Sequence, residues 1–244
     1  MRTHGNFQAQ YRALERRMKA FAEAHGDIFV PNPRPHAPVQ HFLICMEPSL
    51  GRWARTKDQA RLKLEAGFRN FLFSIEDFIL HFCVRRYLCK SRERYHITDL
   101  SKGAMLVDRA RTERNERYDR WYPLLEDEIG LVATPDAAIV AVGKVVHQYL
   151  QRQRFRRPLT GIIHYSGQAG RARIAAVEGH EDRFRAFRDS VSLEDLVATA
   201  QDVLRSSGVP VGIEDETLSR LRRSQLTTSR QQLIFNYKMA FESS

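Results

Sequence analysis

Ala137-Ala138-Ile139-Val140-Ala141-Val142-Gly143 runs directly into Lys144, and the stretch 144–155 after it reads as a helix. A continuous apolar run closed by glycine is the signature of a strand buried on both faces. A strand passing straight into a helix is the unit of a parallel sheet, so the rest of the chain is read for further copies of it.

Three more apolar runs fit. His41-Phe42-Leu43-Ile44-Cys45-Met46 ends at Glu47-Pro48-Ser49-Leu50-Gly51, a strand entering a loop. Tyr95-His96-Ile97-Thr98-Asp99 is a second short strand, and Leu159-Thr160-Gly161-Ile162-Ile163-His164-Tyr165 is a fourth. Between them lie a Phe-rich helix over 65–88 and a charged amphipathic helical stretch over 104–130, broken near Pro123. Phe7, Tyr11, Leu14, Met18 and Phe21 recur at helical spacing and predict an N-terminal helix over 6–25. A proline-rich extended connection, 27–38, follows it. Glycines 167 and 170 precede another helical segment, and 192–206 and 214–241 read as two further helices capping the same domain. The expected fold is one α/β domain, a three-layer α/β/α sandwich around a four-stranded parallel sheet, with a core over about 41–190 and helical extensions at both ends.

The chain has 244 residues, 43% of them hydrophobic and 28% charged, which suits a soluble globular protein with a proper core. Long disorder is excluded by 14 Phe, 8 Tyr and 2 Trp. The most apolar stretch, 71–84, contains Glu76, Asp77 and His81, too many charges for a membrane span. The first 25 residues carry Arg and Lys throughout, so no secretory signal is expected. Cys45, Cys83 and Cys89 form no CxxC pair, so neither a disulfide framework nor a four-thiolate iron–sulfur cluster is expected. The expected protein is a cytoplasmic monomer without cofactor. Lys and Arg number 39 against 29 acids, a net charge of +10 that suits a polyanionic partner, most simply nucleic acid.

In an open parallel sheet, the loops at the carboxyl ends of the strands line the active crevice. Those loops carry Glu47, Asp99, Lys144 and His164. Their contexts are Cys45-Met46-Glu47-Pro48-Ser49, Thr98-Asp99-Leu100-Ser101-Lys102, Ala137 to Lys144, and His164-Tyr165-Ser166-Gly167. In order, spacing and placement at strand ends, this set resembles the motifs of the uracil-DNA glycosylase superfamily over residues 41–190. That family reads Gly-x-Asp/Asn-Pro in its first motif and His-Pro-Ser-Pro/Gly or Asn-Pro-Ser-Gly in its last. Between them its branches have Thr-Asn followed closely by Lys, and a strand ending in Gly-Lys. Here Cys45 replaces Gly, Glu47 replaces Asp or Asn, Asp99 replaces the base-reading Asn, and Tyr165 replaces Pro. The departures set this chain apart from an ordinary uracil excision enzyme.

The resemblance implies a monofunctional DNA glycosylase that flips a nucleotide out of single- or double-stranded DNA, cuts the bond between base and sugar, and leaves an abasic site. Glu47 would stabilise the sugar cation and orient water; a carboxylate there also suits a cap on the following turn. His164 would donate to the base oxygen, for which a neutral ring suffices; a histidine bonded at a strand end is the alternative. Ser49, Ser166 and the amides of Gly167 and Gln168 would meet phosphate, with Gln168 filling the gap left by the flipped base and Arg171 and Arg173 beside the DNA backbone. Lys102 and Lys144 would pair with phosphates or simply be solvated. Phe68, or else Phe71, would stack on the base; Phe73, Phe78 and Phe82 read as core. Arg152, Arg154, Arg156 and Arg157 form a basic cluster before the fourth strand. His96, His164 and Glu47 lack metal-ligand spacing, so no metal is expected.

Asp99 bears on the base. An ionised Asp only accepts, which suits cytosine's exocyclic amine and opposes uracil's carbonyl. Removal of plain cytosine would destroy the genome, so the expected substrate is a modified cytosine, as in foreign or phage DNA, in a defence role. Asp99 as a turn cap is the alternative. Uracil excision and a non-catalytic nucleic-acid binding module are the rival functions, and a nuclease lacks its clustered carboxylates.

Overall fold

The structure, a computed structural model, describes residues 4–51, 53–166 and 169–243, with backbone only at 4–5 and 105–111. Its elements in chain order are α1 (His4–Ala24), β1 (Ile28–Phe29), β2 (Val39–Cys45), β3 (Ser49–Leu50), α2 (Lys57–Glu65) and α3 (Ile75–Cys83) with a π-helical turn Val84–Leu88. Then come β4 (Tyr95–Asp99), β5 (Gly103–Leu106), α4 (Val107–Val132), β6 (Ala133–Val142), α5 (Lys144–Arg152) and β7 (Leu159–Ile162). The remainder is helical: α6 (Gly170–Ala175), α7 (Glu181–Arg188), α8 (Leu193–Ser206), α9 (Val211–Arg222) and α10 (Thr228–Glu242).

The main sheet has the order β4-β2-β6-β7 and is parallel throughout, with Ile44 beside Thr98 and Ala141 and Val140 beside Thr160. Alternation along the strands feeds two cores. Leu43, Cys45, Val140, Val142 and Ile162 pack with α3 and the C-terminal helices through Phe78, Leu196, Leu204 and Leu233. Phe42, Ile44, Ile139 and Ala141 face the other way, toward Phe7, Tyr118, Leu125 and Leu150 of α1, α4 and α5. The expected three-layer α/β/α sandwich is therefore present. The residues beyond 190 supply one of its helical layers and are more than a cap.

Several boundaries differ from the sequence reading. Residues 66–74 are a loop, with Gly67 at φ +99° and Phe71 at φ +60°. A side chain at Gly67 would come within 2.7 Å of Pro210, so close packing against α9 demands glycine there. A capping box starts α3, in which Ser74 Oγ accepts from Asp77 N–H at 3.1 Å and Asp77 Oδ2 accepts from Ser74 N–H at 2.8 Å. That Ser-x-x-Asp signal was present in the sequence. Residues 103–106 form β5, which joins β1 and β3 in a small second sheet. Helix α4 continues through Pro123 because Tyr118, Trp121 and Leu125 are fully buried on both sides of it, and that packing outweighs one lost hydrogen bond. The predicted helix 214–241 is divided into α9 and α10. Among the described residues no helix is long and apolar enough to cross a membrane.

Candidate functional site

The parallel order brings the carboxyl ends of all four strands to one edge. Glu47 lies two residues past β2, Asp99 closes β4, Gly143 and Lys144 follow β6, and His164 lies two residues past β7.

Glu47 is held from both sides by α4. Arg114 donates from Nε at 3.2 Å and Nη2 at 2.9 Å to Oε1, while the Tyr118 hydroxyl donates a short hydrogen bond to Oε2. Burial, then the Glu47 charge, pushes the Tyr118 phenol well above its usual range, so it stays a donor. Its ring packs edge-on against Tyr149 at 5.2 Å, which fixes the hydroxyl's position. A carboxylate has about four acceptor sites, so capacity remains for a water. The sequence reading missed both partners, because no local pattern ties positions on α4 to a loop about 70 residues earlier.

His164 has a defined tautomer. The Ser166 backbone N–H donates to its Nδ1 at 3.0 Å, which leaves the ring proton on Nε2. Burial, reinforced by Arg173 and Arg114, lowers its pKa to about 4, so the ring is neutral at physiological pH. Gly143, at φ +103°, lies where a Cβ would meet the His164 Cβ at 3.2 Å. Tyr165 stacks on the imidazole, ring centroids 4.6 Å apart and 17° from parallel.

Asp99 is buried at 2% exposure, and its Oδ2 accepts from Asn70 Nδ2 at 2.5 Å. Burial pushes its pKa well above the usual carboxylate range against the pull of Lys102, and the nearby Glu47 charge adds to the rise. Burial thus works against the charged form on which the acceptor-only reading of Asp99 rests. Asn70, on the 66–74 loop, places an amide beside Asp99, and its neighbour Phe71 carries the positive φ.

The remaining predicted residues divide. Ser49, Lys144 and Arg171 are exposed at this edge and open to a partner. Ser166 is half-buried, with its amide spent on His164. Gly167 and Gln168 lie outside the described residues. Arg173 does not face DNA. It is buried at 4% exposure, bonded through Nη2 to the carbonyls of Tyr165 and Ser166 and through Nη1 to Ser229 Oγ at 3.1 Å, so it braces the His164 loop. Lys102 is also interior, 2.6 Å from Glu128 Oε2 and 2.7 Å from the Asp99 carbonyl. Phe68 stacks face to face on Trp53 at 4.4 Å within a small core beside the second sheet, so its ring already has a partner. Phe71 is nearer the site in sequence and packs in the same core cluster as Cys45 and Tyr165, almost wholly buried. Phe73 is half-buried rather than core, with the Arg220 guanidinium 3.8 Å over its ring. His96 bonds Glu128 at 3.0 Å, an interior role.

The chain matches no protein-family model, no curated protein and no solved structure.

Proposed function

We propose that this protein is a monofunctional DNA glycosylase that works at the carboxyl edge of its parallel sheet. The observation that carries the reading is the meeting there of a clamped carboxylate, Glu47, and a neutral imidazole with its proton on Nε2, His164. Cleavage of the N-glycosidic bond sends the bonding electrons into the base and leaves a cationic sugar. His164 Nε2–H would donate to the base oxygen as that charge develops. Glu47 would hold the water that adds to the sugar carbon and accept its proton.

Asp99 favours a cytosine-type base. An ionised Asp99 accepts from the exocyclic amine; a neutral one also donates to the ring nitrogen. Uracil fits only the neutral acid. Cytosine compatibility in both protonation states supports a modified cytosine, with selectivity against the plain base set by a further contact to the ring substituent. Because Asp99 is buried, base entry must displace neighbouring side chains. That burial is also the observation favouring the rival, a basic DNA-binding module without chemistry.

The test is incubation with matched duplexes carrying uracil, cytosine or substituted cytosines, followed by alkali. Strand breaks that need alkali, formed by the wild type and lost in Glu47→Gln with DNA binding retained, support the proposal. No base release from any of these duplexes overturns it.

A further inference from the structure

The opposite edge of the sheet, where the strands begin, carries a concentration of positive charge that the proposed chemistry does not use. A cleft of about 900 Å³ lies at the starts of β2 and β4, lined by six Arg or Lys against Glu93 and Asp202. A second cleft, about 400 Å³, lies between the end of α4 and the turn before β7, lined by Arg154, Arg156 and Arg157 against Glu126. The sheet order β4-β2-β6-β7 puts the first cleft at the β4 end of this edge, on the side of α3 and α8, and the second toward the β7 end, on the side of α4 and α5. Arg154, Arg156 and Arg157 of the basic cluster thus belong here, whereas Arg152 bonds Asn115 on α4 at 3.3 Å.

Some of these cations are already engaged: Arg85 with Asp202 at 3.1 Å, Arg34 with Glu15 at 2.6 Å and Arg157 with the Thr134 carbonyl at 3.0 Å. Others make no side-chain hydrogen bond or ion pair among the described residues, namely Arg92, Arg154 and Arg156, together with Lys90, which has only the nearby Glu93 charge against it. Two of these four also adopt an unusual backbone. Only three non-glycine residues among those described have positive φ, and two of them are Arg92 at +73° and Arg154 at +53°. Both have a local cause: Arg154 follows the end of α5 in a Schellman-type turn, with Phe155 N–H donating to the Leu150 carbonyl at 3.1 Å, and Arg92 sits in the turn closed by Glu93 N–H on the Lys90 carbonyl at 3.0 Å. These turns present two unpaired arginines, one at each cleft.

We propose that this amino edge is a second docking face, separate from the glycosylase edge, that binds the phosphodiester backbone of a nucleic-acid duplex without reading sequence. Three inter-strand steps of about 4.8 Å span about 14 Å, over which a duplex carries on the order of eight phosphates. Guanidinium forks suit such oxygens. A membrane surface fits less well, because the exposed large hydrophobics Leu62, Val145, Ile174 and Val211 line neither cleft. This inference does not depend on base excision.

The experiment measures affinity of the full chain for a 20-base-pair DNA duplex and for an RNA duplex of equal length across a salt series. Wild type is compared with the quadruple variant Lys90→Ala/Arg92→Ala/Arg154→Ala/Arg156→Ala. The variant is expected to bind at least tenfold more weakly, with a log–log salt slope shallower by about 3. Loss on both duplexes means the face takes phosphate backbone of either kind; loss on one names the source. A second variant, Arg92→Gly/Arg154→Gly, relieves the positive φ, so it should keep or raise the melting temperature while still weakening binding. Unchanged duplex affinity and slope in both variants overturn the proposal. So does a loss seen only with inorganic triphosphate, which would mark a small-anion site.

Discussion

Lys102 Nζ sits 2.6 Å from Glu128 Oε2, with both side chains almost fully buried. Glu128 also receives Thr98 Oγ1 at 3.0 Å and His96 Nε2 at 3.0 Å, so α4 is fastened to β4 directly behind Asp99. Burial works against the Glu128 charge, but Lys102 and then His96 outweigh it and hold its pKa at about 2. Loss of one partner strands the other's charge in the interior. Lys102→Met is therefore expected to destabilise the fold by about 3–5 kcal/mol, while Lys102→Met/Glu128→Gln, which removes the stranded charge and keeps an acceptor for His96 and Thr98, recovers part of the loss. Urea unfolding measures this. A Lys102→Met variant that keeps full stability but binds DNA weakly would restore the phosphate role.

Tyr118→Phe tests the grip on Glu47. The change deletes one hydroxyl and leaves the ring packed on Tyr149. A hydrogen bond to a charged group contributes about 1.5–3 kcal/mol, so a loss felt in the transition state is a roughly 10- to 100-fold slower single-turnover base release, with DNA affinity unchanged. Arg114→Lys keeps the charge without the fork and should fall between wild type and Arg114→Ala. Equal rates in Tyr118→Phe and wild type would show that the clamp does not serve the chemistry.

His81 and His164 give the protein an acid limb. Burial lowers both pKa values to about 4. On acidification the unfolded chain therefore takes up these protons first, beginning near the ordinary value of about 6.5. Stability from each ring is complete above that pH and is lost as pH falls toward 4. His81 is hydrogen-bonded at Nδ1 to Tyr95 and at Nε2 to the Phe71 carbonyl, contacts that glutamine can imitate. The stability gap between wild type and His81→Gln should narrow by roughly 2 kcal/mol between pH 7.5 and pH 5. A gap that stays constant with pH would mean that His81 titrates normally.

Asp99→Asn should shift base preference toward uracil. The amide carries donor and acceptor permanently, whereas the acid matches uracil only when protonated. Relative release of uracil and substituted cytosines from matched duplexes reads the shift. An unchanged ratio would assign Asp99 to holding the Asn70 loop instead of reading the base.

Local pattern carried much of this fold. The run 137–143, the three shorter strands and the helical spacing of Phe7 to Phe21 each express a periodicity of burial, and burial on one or two faces is what those periods encode. Parallel pairing then required Glu47, Asp99, Lys144 and His164 to emerge at one edge. What lay beyond local pattern was set by contacts between distant residues. Lys102 and Arg173 were read as surface cations because lysine and arginine usually are. Only the approach of α4 and α10 turns them inward, onto Glu128 and onto Ser229. Arg114 and Tyr118 meet Glu47 across about 70 residues of chain, and Phe68 is claimed by Trp53. The sequence by itself determined that a parallel sheet lies between helices and which strand ends share an edge, since those follow from side-chain periodicity and the handedness of the chain, whereas the part of the C-terminal helices in one layer came from their packing on the sheet. The tertiary structure alone decided which charges face solvent and which face each other, because the desolvation that makes a pair form depends on neighbours that no local window contains.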